Sequence, residues 1–229
     1  MNRRAANVAA GTADGDDLPR AGTRDRLVRA AAEVIQEGGW GSASVGAIAE
    51  RAGVAAGTLY RHFVSKAELF IEVFRAVSER EMTAMRSAEG AAAGFAERFD
   101  AVVATYARRA LDNRQLAWAL VYEPLDASVD KVRLAYRRSY CEGMAALIRT
   151  GVAAGEIPPQ DAGLAAAAVV GVIAETLVGP LSPVGTDTTS DETIVDAIVT
   201  FCRRVIGLPA RSQPSATRQR KGARKRMRA

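Results

Sequence analysis

An all-α fold is predicted for this chain of 229 residues by three observations. Apolar residues recur three and four positions apart through most of residues 23–208, which is the period of a helix. No stretch alternates apolar and polar residues as a half-buried strand does. Glycines, prolines and capping residues interrupt the pattern at intervals that fit a succession of helices. Within that class, residues 23–83 are expected to form a three-helix unit containing a helix-turn-helix at about 44–63. Residues 84–208 are expected to form a second, larger helical body.

Residues 1–22 are polar and small without periodicity, the pattern of a disordered arm. Thr23 caps a first helix that ends near Gly38 and Gly39, with Leu27, Ala31, Val34 and Ile35 as its buried stripe. Trp40 follows in the connecting loop and is expected to plug the core. Ser44 is a good N-cap for a helix from Val45 to Ala52, whose Val45, Ile48, Ala49 and Ala52 share one face. Gly53 then sits where the chain needs a positive φ to leave the helix.

The next helix, about Ala55 to Phe63, turns Val54, Leu59 and Phe63 inward. That leaves Gly57, Thr58, Tyr60, Arg61 and His62 facing out. Small backbone, two hydroxyls, a guanidinium and an imidazole make a set of donors suited to phosphate oxygens. The arrangement is a helix-turn-helix, whose second helix enters the major groove of DNA. Ser65 caps a further helix, with Lys66 at its first position and Glu68 in its first turn. Its N-terminal amides and Lys66 both favour an anion there, which makes a second phosphate anchor.

Three runs together resemble the DNA-binding domain of the TetR family of bacterial transcriptional regulators. They are Ile48-Ala49-Glu50-Arg51-Ala52-Gly53-Val54, Gly57-Thr58-Leu59-Tyr60-Arg61-His62-Phe63 and Ser65-Lys66-Ala67-Glu68-Leu69. The resemblance spans about Thr23 to Val77. It implies DNA contacts from Ser44, Val45, Ala55, Gly57, Thr58, Tyr60, Arg61, His62 and Lys66. The family often carries Ser where this chain has Ala55 and longer polar residues where it has Ala56 and Gly46.

Leu69, Phe70, Val73, Phe74 and Val77 give the helix from Ser65 an apolar stripe broad enough for two partners. Gly90 and Gly94 break the pattern after it. Helices are then expected over Phe95 to Leu111, Arg114 to Tyr122 and Ser128 to Ala154. Gly155-Glu156-Ile157-Pro158-Pro159 is a stop. Asp161 caps a helix from Ala162 to Val178 that Gly179-Pro180 is expected to end, and a last helix runs from Asp191 to Ile206. The 162–178 helix is apolar nearly all round, carries one charge, Glu175, and must be covered on every side. The resemblance implies that it and the 191–206 helix pair with their copies in a homodimer, which supplies two DNA half-sites.

Phe95, Phe99, Tyr106, Trp118, Tyr122, Tyr136 and Tyr140 fall in the middle helices. They either wall a pocket for a mostly apolar small molecule or fill the core. The resemblance implies the pocket: an unidentified small-molecule effector that alters the separation of two DNA-reading heads. The expected function is therefore a DNA-binding regulator, with repression of a palindromic operator as the expected outcome. The alternative is a helical ligand-binding or enzymatic bundle with a vestigial helix-turn-helix.

The net charge of +5 is unevenly placed. Residues 211–229 carry eight basic side chains and no acid, whereas residues 23–210 carry a net charge of −3. DNA affinity must then come from local placement; the tail at 209–229, expected to be disordered, reads first as a solvated terminus, next as a salt-sensitive addition to DNA affinity and last as a segment that binds some anionic surface. The one histidine, His62, falls on the proposed DNA face, which leaves no His-based triad or multi-His metal site, and no glycine-rich phosphate loop is present, so neither catalysis nor a cofactor is expected. Cys141 and Cys202 read as reduced thiols. No run of about 18 apolar residues, as a membrane span would need, is expected, and the first residues lack an apolar signal core, so the chain is expected to be cytoplasmic.

Overall fold

The computed structural model describes residues 22–124, 126–184 and 189–209. Among these the chain forms nine α-helices and no strand, as the periodicity predicts. The arm at 1–22 and the tail at 209–229 lie outside the described residues except for Gly22 and Pro209.

The N-terminal unit comprises α1 (Thr23–Ser42), α2 (Val45–Arg51), α3 (Ala56–His62) and the first half of α4 (Lys66–Ala91). α1 extends past its expected end, but Gly38 and Gly39 within it are non-helical. Gly39, at φ 72° and ψ −176°, occupies a region open essentially to glycine alone. The bend drives Trp40 inward, 5% exposed, against Phe70 with ring centroids 4.5 Å apart. Its indole N–H donates to the Ala119 carbonyl at 2.7 Å, so the expected core plug also ties the head to a later helix.

The second unit contains α5 (Phe95–Asp112), α6 (Arg114–Val121), α7 (Ala127–Ala153), α8 (Ala162–Leu181) and α9 (Asp191–Val205). Its core draws Phe99, Val103, Ile148, Val169, Ile198 and Cys202 from four of these helices. The close approach of α5 and α7 depends on Gly151, where an added Cβ would lie 2.5 Å from the Phe95 ring. The head core is not closed by the head alone: Leu116, Ala119 and Leu120 of α6 and Val129 of α7 complete it. α4 packs on α1, α5 and α7, which accounts for its broad stripe.

Two readings of α8 need correction. Pro180 lies inside the helix, which runs on to Leu181. A proline this close to the end removes one helical hydrogen bond, and the Ser182 N–H still closes the last turn on Val178 at 3.0 Å. Moreover, α8 is long and apolar enough to cross a membrane by length and composition, with a mean hydropathy of 2.0. Glu175 and Thr176 interrupt the run without lowering its average below that mark. In this fold α8 packs on α5, α6, α7 and α9, yet only 33% of that span is buried. Leu164 is 73% exposed, with Ala167 and Ala168 also exposed one turn on, and Phe201 of α9 is 52% exposed.

Candidate nucleic-acid interface and ligand cavity

The helix-turn-helix is built by local capping. Ser44 Oγ accepts the Ala47 N–H at 3.1 Å and starts α2. At its far end Gly53, with φ 65°, lets the Val54 N–H return to the Ala49 carbonyl at 2.9 Å. α3 has no side-chain cap at Ala55, so it depends on packing. Leu59 and Phe63 supply it, 0% and 1% exposed, each a side chain whose burial contributes about 1.5–3 kcal/mol. The Arg24 guanidinium lies 4.9 Å above the Phe63 ring and pairs with Glu72 at 3.3 Å.

With those residues turned inward, Tyr60, Arg61, His62 and Gly57 are exposed along one side of α3. Tyr60 is 59% exposed, and the side chains of Tyr60, Arg61 and His62 make no hydrogen bond to the described residues. Arg51, by contrast, is held by Glu37 at 2.7 Å and Glu33 at 3.4 Å. Those carboxylates raise its affinity for its proton and occupy it. Thr58 is half-buried, and Val45 packs half-buried against the head core, so it presents little side chain for contact.

α4 opens beside this face. Ser65 Oγ accepts the Glu68 N–H at 3.1 Å, and Glu68 Oε2 accepts the Val64 N–H at 2.6 Å. Together they fix the turn between α3 and α4. Lys66 Nζ sits 4.9 Å over the Phe70 ring, which orients its charge at the helix start. Val64, 91% exposed in this turn, was not expected at the face. A lone apolar residue between two helices carries no periodic signal.

A cavity of about 450 Å3 opens between α4, α5, α6, α7 and α8. Of the seven aromatics expected there, Tyr106, Tyr136 and Tyr140 line it. Phe95 and Phe99 instead fill the core of the second unit, with rings 6.2 Å apart. Trp118 and Tyr122 stack on each other at 4.9 Å, and the Tyr122 hydroxyl donates to the Ala174 carbonyl. These four are drawn off the wall by packing and hydrogen bonding that composition does not reveal.

The tyrosines that do line it are kept protonated. Burial raises the pKa of Tyr106 and Tyr140, while Tyr136 is raised by burial and by its hydrogen bond to Glu79 at 3.1 Å. Met82, Met85 and Arg86 of α4, and Arg133, Leu134 and Arg137 of α7, complete the mostly apolar wall. Their spacing of three and four along each helix is a signal the sequence carries, which an expectation built on aromatic residues alone passes over.

Comparison with known proteins agrees with both units. The family model described as "Bacterial regulatory proteins, tetR family" matches residues 27–73. That described as "Tetracyclin repressor-like, C-terminal domain" matches residues 92–178. The transcriptional activator FasR of Mycolicibacterium smegmatis is 39% identical over 80 residues, 35% of this chain and 36% of FasR. The transcriptional repressor KstR of Rhodococcus jostii is also 39% identical over 80 residues, 34% of this chain and 38% of KstR. The chain thus spans little more than a third of the length of these relatives. Among solved structures, the fatty acid degradation regulator FadR of Bacillus halodurans superposes with a TM-score of 0.70 at 22% identity. It covers 86% of this chain and 100% of that one. FadR of Bacillus subtilis, in complex with stearoyl-CoA, gives 0.66 at 24% identity over 80% and 97%.

Proposed function

Because the chain belongs to the tetR family of bacterial regulatory proteins, we propose that it is a DNA-binding transcriptional regulator, a homodimer that a small molecule releases from a palindromic operator. The observation that carries the reading is the face of α3. Leu59 and Phe63 secure the helix from within, and Tyr60, Arg61 and His62 stand outside unengaged. Side chains so placed reach base edges and phosphates, while Ser44 and the start of α4 at Lys66 bracket them on the backbone. Gly57 allows close approach of the helix, and Ala55 and Thr58 lie on its leading turn.

The homodimer reading is supported by α8 and α9. Their exposed apolar residues, Leu164, Ala167, Ala168 and Phe201, form a face that water disfavours and a second copy would cover. Pairing there sets two α3 helices on one side of a duplex and doubles the bases read. The tail at 209–229 would add salt-dependent affinity without sequence preference.

The effector reading is supported by the cavity, whose volume falls within the roughly 300–1,000 Å3 of small-molecule sites. FadR of Bacillus subtilis, of similar fold, holds stearoyl-CoA. Because α4 contributes to the cavity wall and carries Lys66 at its other end, a bound molecule can shift the DNA-reading heads. Release by that ligand makes the protein a repressor.

The test is affinity selection of fragments of the source genome by the purified protein at two salt concentrations. Recovery of a few fragments sharing a two-fold symmetric motif is expected. Uniform recovery erased by salt would overturn the reading.

A further inference from the structure

We propose that the cavity takes an elongated apolar molecule ending in an anionic group, and that Arg133 is the residue that receives that group. The inference deepens the effector reading above and rests on it. It starts from an imbalance of charge. Three arginines, Arg86, Arg133 and Arg137, line a wall that is otherwise mostly apolar or tyrosine, and Glu89 is the acidic residue among them. Glu89 is already engaged by Arg98, whose Nη2 donates to it. The wall therefore offers positive charge to whatever enters.

Arg133 differs from the other two. Its Nη2 donates to the Glu123 carbonyl at 2.8 Å, and its Nη1 lies 3.3 Å from the Asp130 carboxylate one turn away. Its Nε is buried and has no hydrogen-bond partner among the described residues. A guanidinium carries five N–H donors in a fixed fork, and a buried donor of a charged group without an acceptor is costly. Burial lowers the Arg133 pKa from its ordinary value, against the pull of Asp130 and Glu123. The group is under-solvated and only partly paired, and an anion would supply what its surroundings lack.

The remaining wall fixes the rest of the ligand. Met82 and Met85 of α4 and Leu134 and Met144 of α7 line the cavity, flexible thioethers and branched carbons that adapt to a chain of methylenes. Tyr136 has its hydroxyl occupied by Glu79, so it offers mainly its ring. Arg137, one turn beyond Arg133, makes no hydrogen bond to the described residues and adds charge beside the same end. A neutral apolar ligand would fill the greasy part and leave Arg133 as it is. An anionic one satisfies both.

A carboxylate and the phosphates of an acyl-coenzyme A share this chemistry, and the test separates them. Binding of laurate, 1-dodecanol and lauroyl-CoA to the full-length protein is measured by calorimetry, with the Arg133→Gln, Arg133→Lys and Arg137→Gln variants. Wild type is expected to prefer laurate over dodecanol by about tenfold or more, the scale of a charge-assisted hydrogen bond. Arg133→Gln should collapse that ratio towards unity, Arg133→Lys should keep part of it, and Arg137→Gln should lower it less.

Lauroyl-CoA bound tightly while laurate is bound no better than dodecanol, with that binding lost in Arg133→Gln, would place the anion on the coenzyme phosphates. Equal binding of all three by wild type overturns the inference, as does a preference that survives in Arg133→Gln. So does failure of every chain to bind. None of those results touches the operator selection, so the regulator reading fails or stands separately.

Discussion

Glu123 Oε2 accepts the backbone N–H of Trp40 at 2.9 Å, joining the end of α6 to the bend in α1 across 83 residues of sequence. The same residue offers its carbonyl to Arg133 on the cavity wall. Head and cavity therefore meet at one residue, through its side chain on one side and its carbonyl on the other. Glu123→Ala should lower unfolding stability by about 1–2 kcal/mol through the lost charge-assisted bond and weaken the effect of any cavity ligand on operator affinity. Gly39→Ala should be worse, because it forces a Cβ into a glycine-only conformation and to within 2.5 Å of Glu123 Oε1. Urea unfolding of the two variants beside wild type checks the order.

Arg203 Nη1 donates to both carboxylate oxygens of Asp100, at 3.0 and 2.9 Å, and Arg203 Nε donates to the Pro209 carbonyl at 2.8 Å. Both side chains are buried, 8% and 11% exposed, in the second unit. Asp100→Ala should cost about 3–5 kcal/mol by leaving a buried guanidinium without its counter-charge. Replacing both with leucine should cost much less than that single change. Chemical denaturation of single and double variants gives the comparison directly.

Burial pushes the Cys202 thiol up to about 12. A folded-state pKa above the unfolded one means that the folded chain retains a proton the unfolded chain releases. Its contribution is whole below the unfolded pKa near 9 and is lost as pH rises towards 12. Stability of wild type should fall more steeply between pH 9 and 11 than that of Cys202→Ala, starting from that variant's own baseline. Labelling at pH 8 should reach the half-exposed Cys141 and spare Cys202 until the chain unfolds.

Tyr60 is 59% exposed and its side chain makes no hydrogen bond to the described residues, so Tyr60→Ala should change unfolding stability by no more than about 0.5 kcal/mol. Its operator affinity should drop by about tenfold or more, the scale of one good contact to DNA. Arg61→Ala should reduce affinity and also flatten its dependence on salt. Fluorescence anisotropy with the selected operator at several salt concentrations reads both quantities.

The elements legible in the sequence were those whose cause is local. Ser44, Ser65, Asp161 and Ser190 each cap a helix through their own side chain, and each start was read to within a residue or so. The outward set on α3 was readable because a two-turn helix leaves few ways to turn Leu59 and Phe63 inward. The cavity was less legible. Phe95 and Trp118 look alike in composition to Tyr140, and only the packing of Phe95 against Gly151 and of Trp118 on Tyr122 takes them off its wall. Arg133 gave no sign of its role, since its significance lies in a nitrogen without an acceptor. The end of α8 was misread because Pro180 breaks a helix only when turns remain beyond it to break.

α4 is a continuous helix of 26 residues, which makes it a rod about 39 Å long. Phe70 and Phe74, gripped by the rings of Trp40 and Tyr136, sit nearer its Lys66 end, while Met82, Met85 and Arg86 touch the cavity farther along. If a cavity ligand displaces α4 as proposed, such a rod would work as a lever with its fulcrum at those rings. The cavity arm is the longer, so a modest force there balances a larger one at the DNA. The short arm moves less than the long one, and a tilt of ~10° carries an end ~10 Å from the fulcrum by only ~2 Å. That shift is small against the ~34 Å repeat of the duplex but comparable to a hydrogen bond's whole length, so such a tilt would break contacts at α3 without leaving the groove.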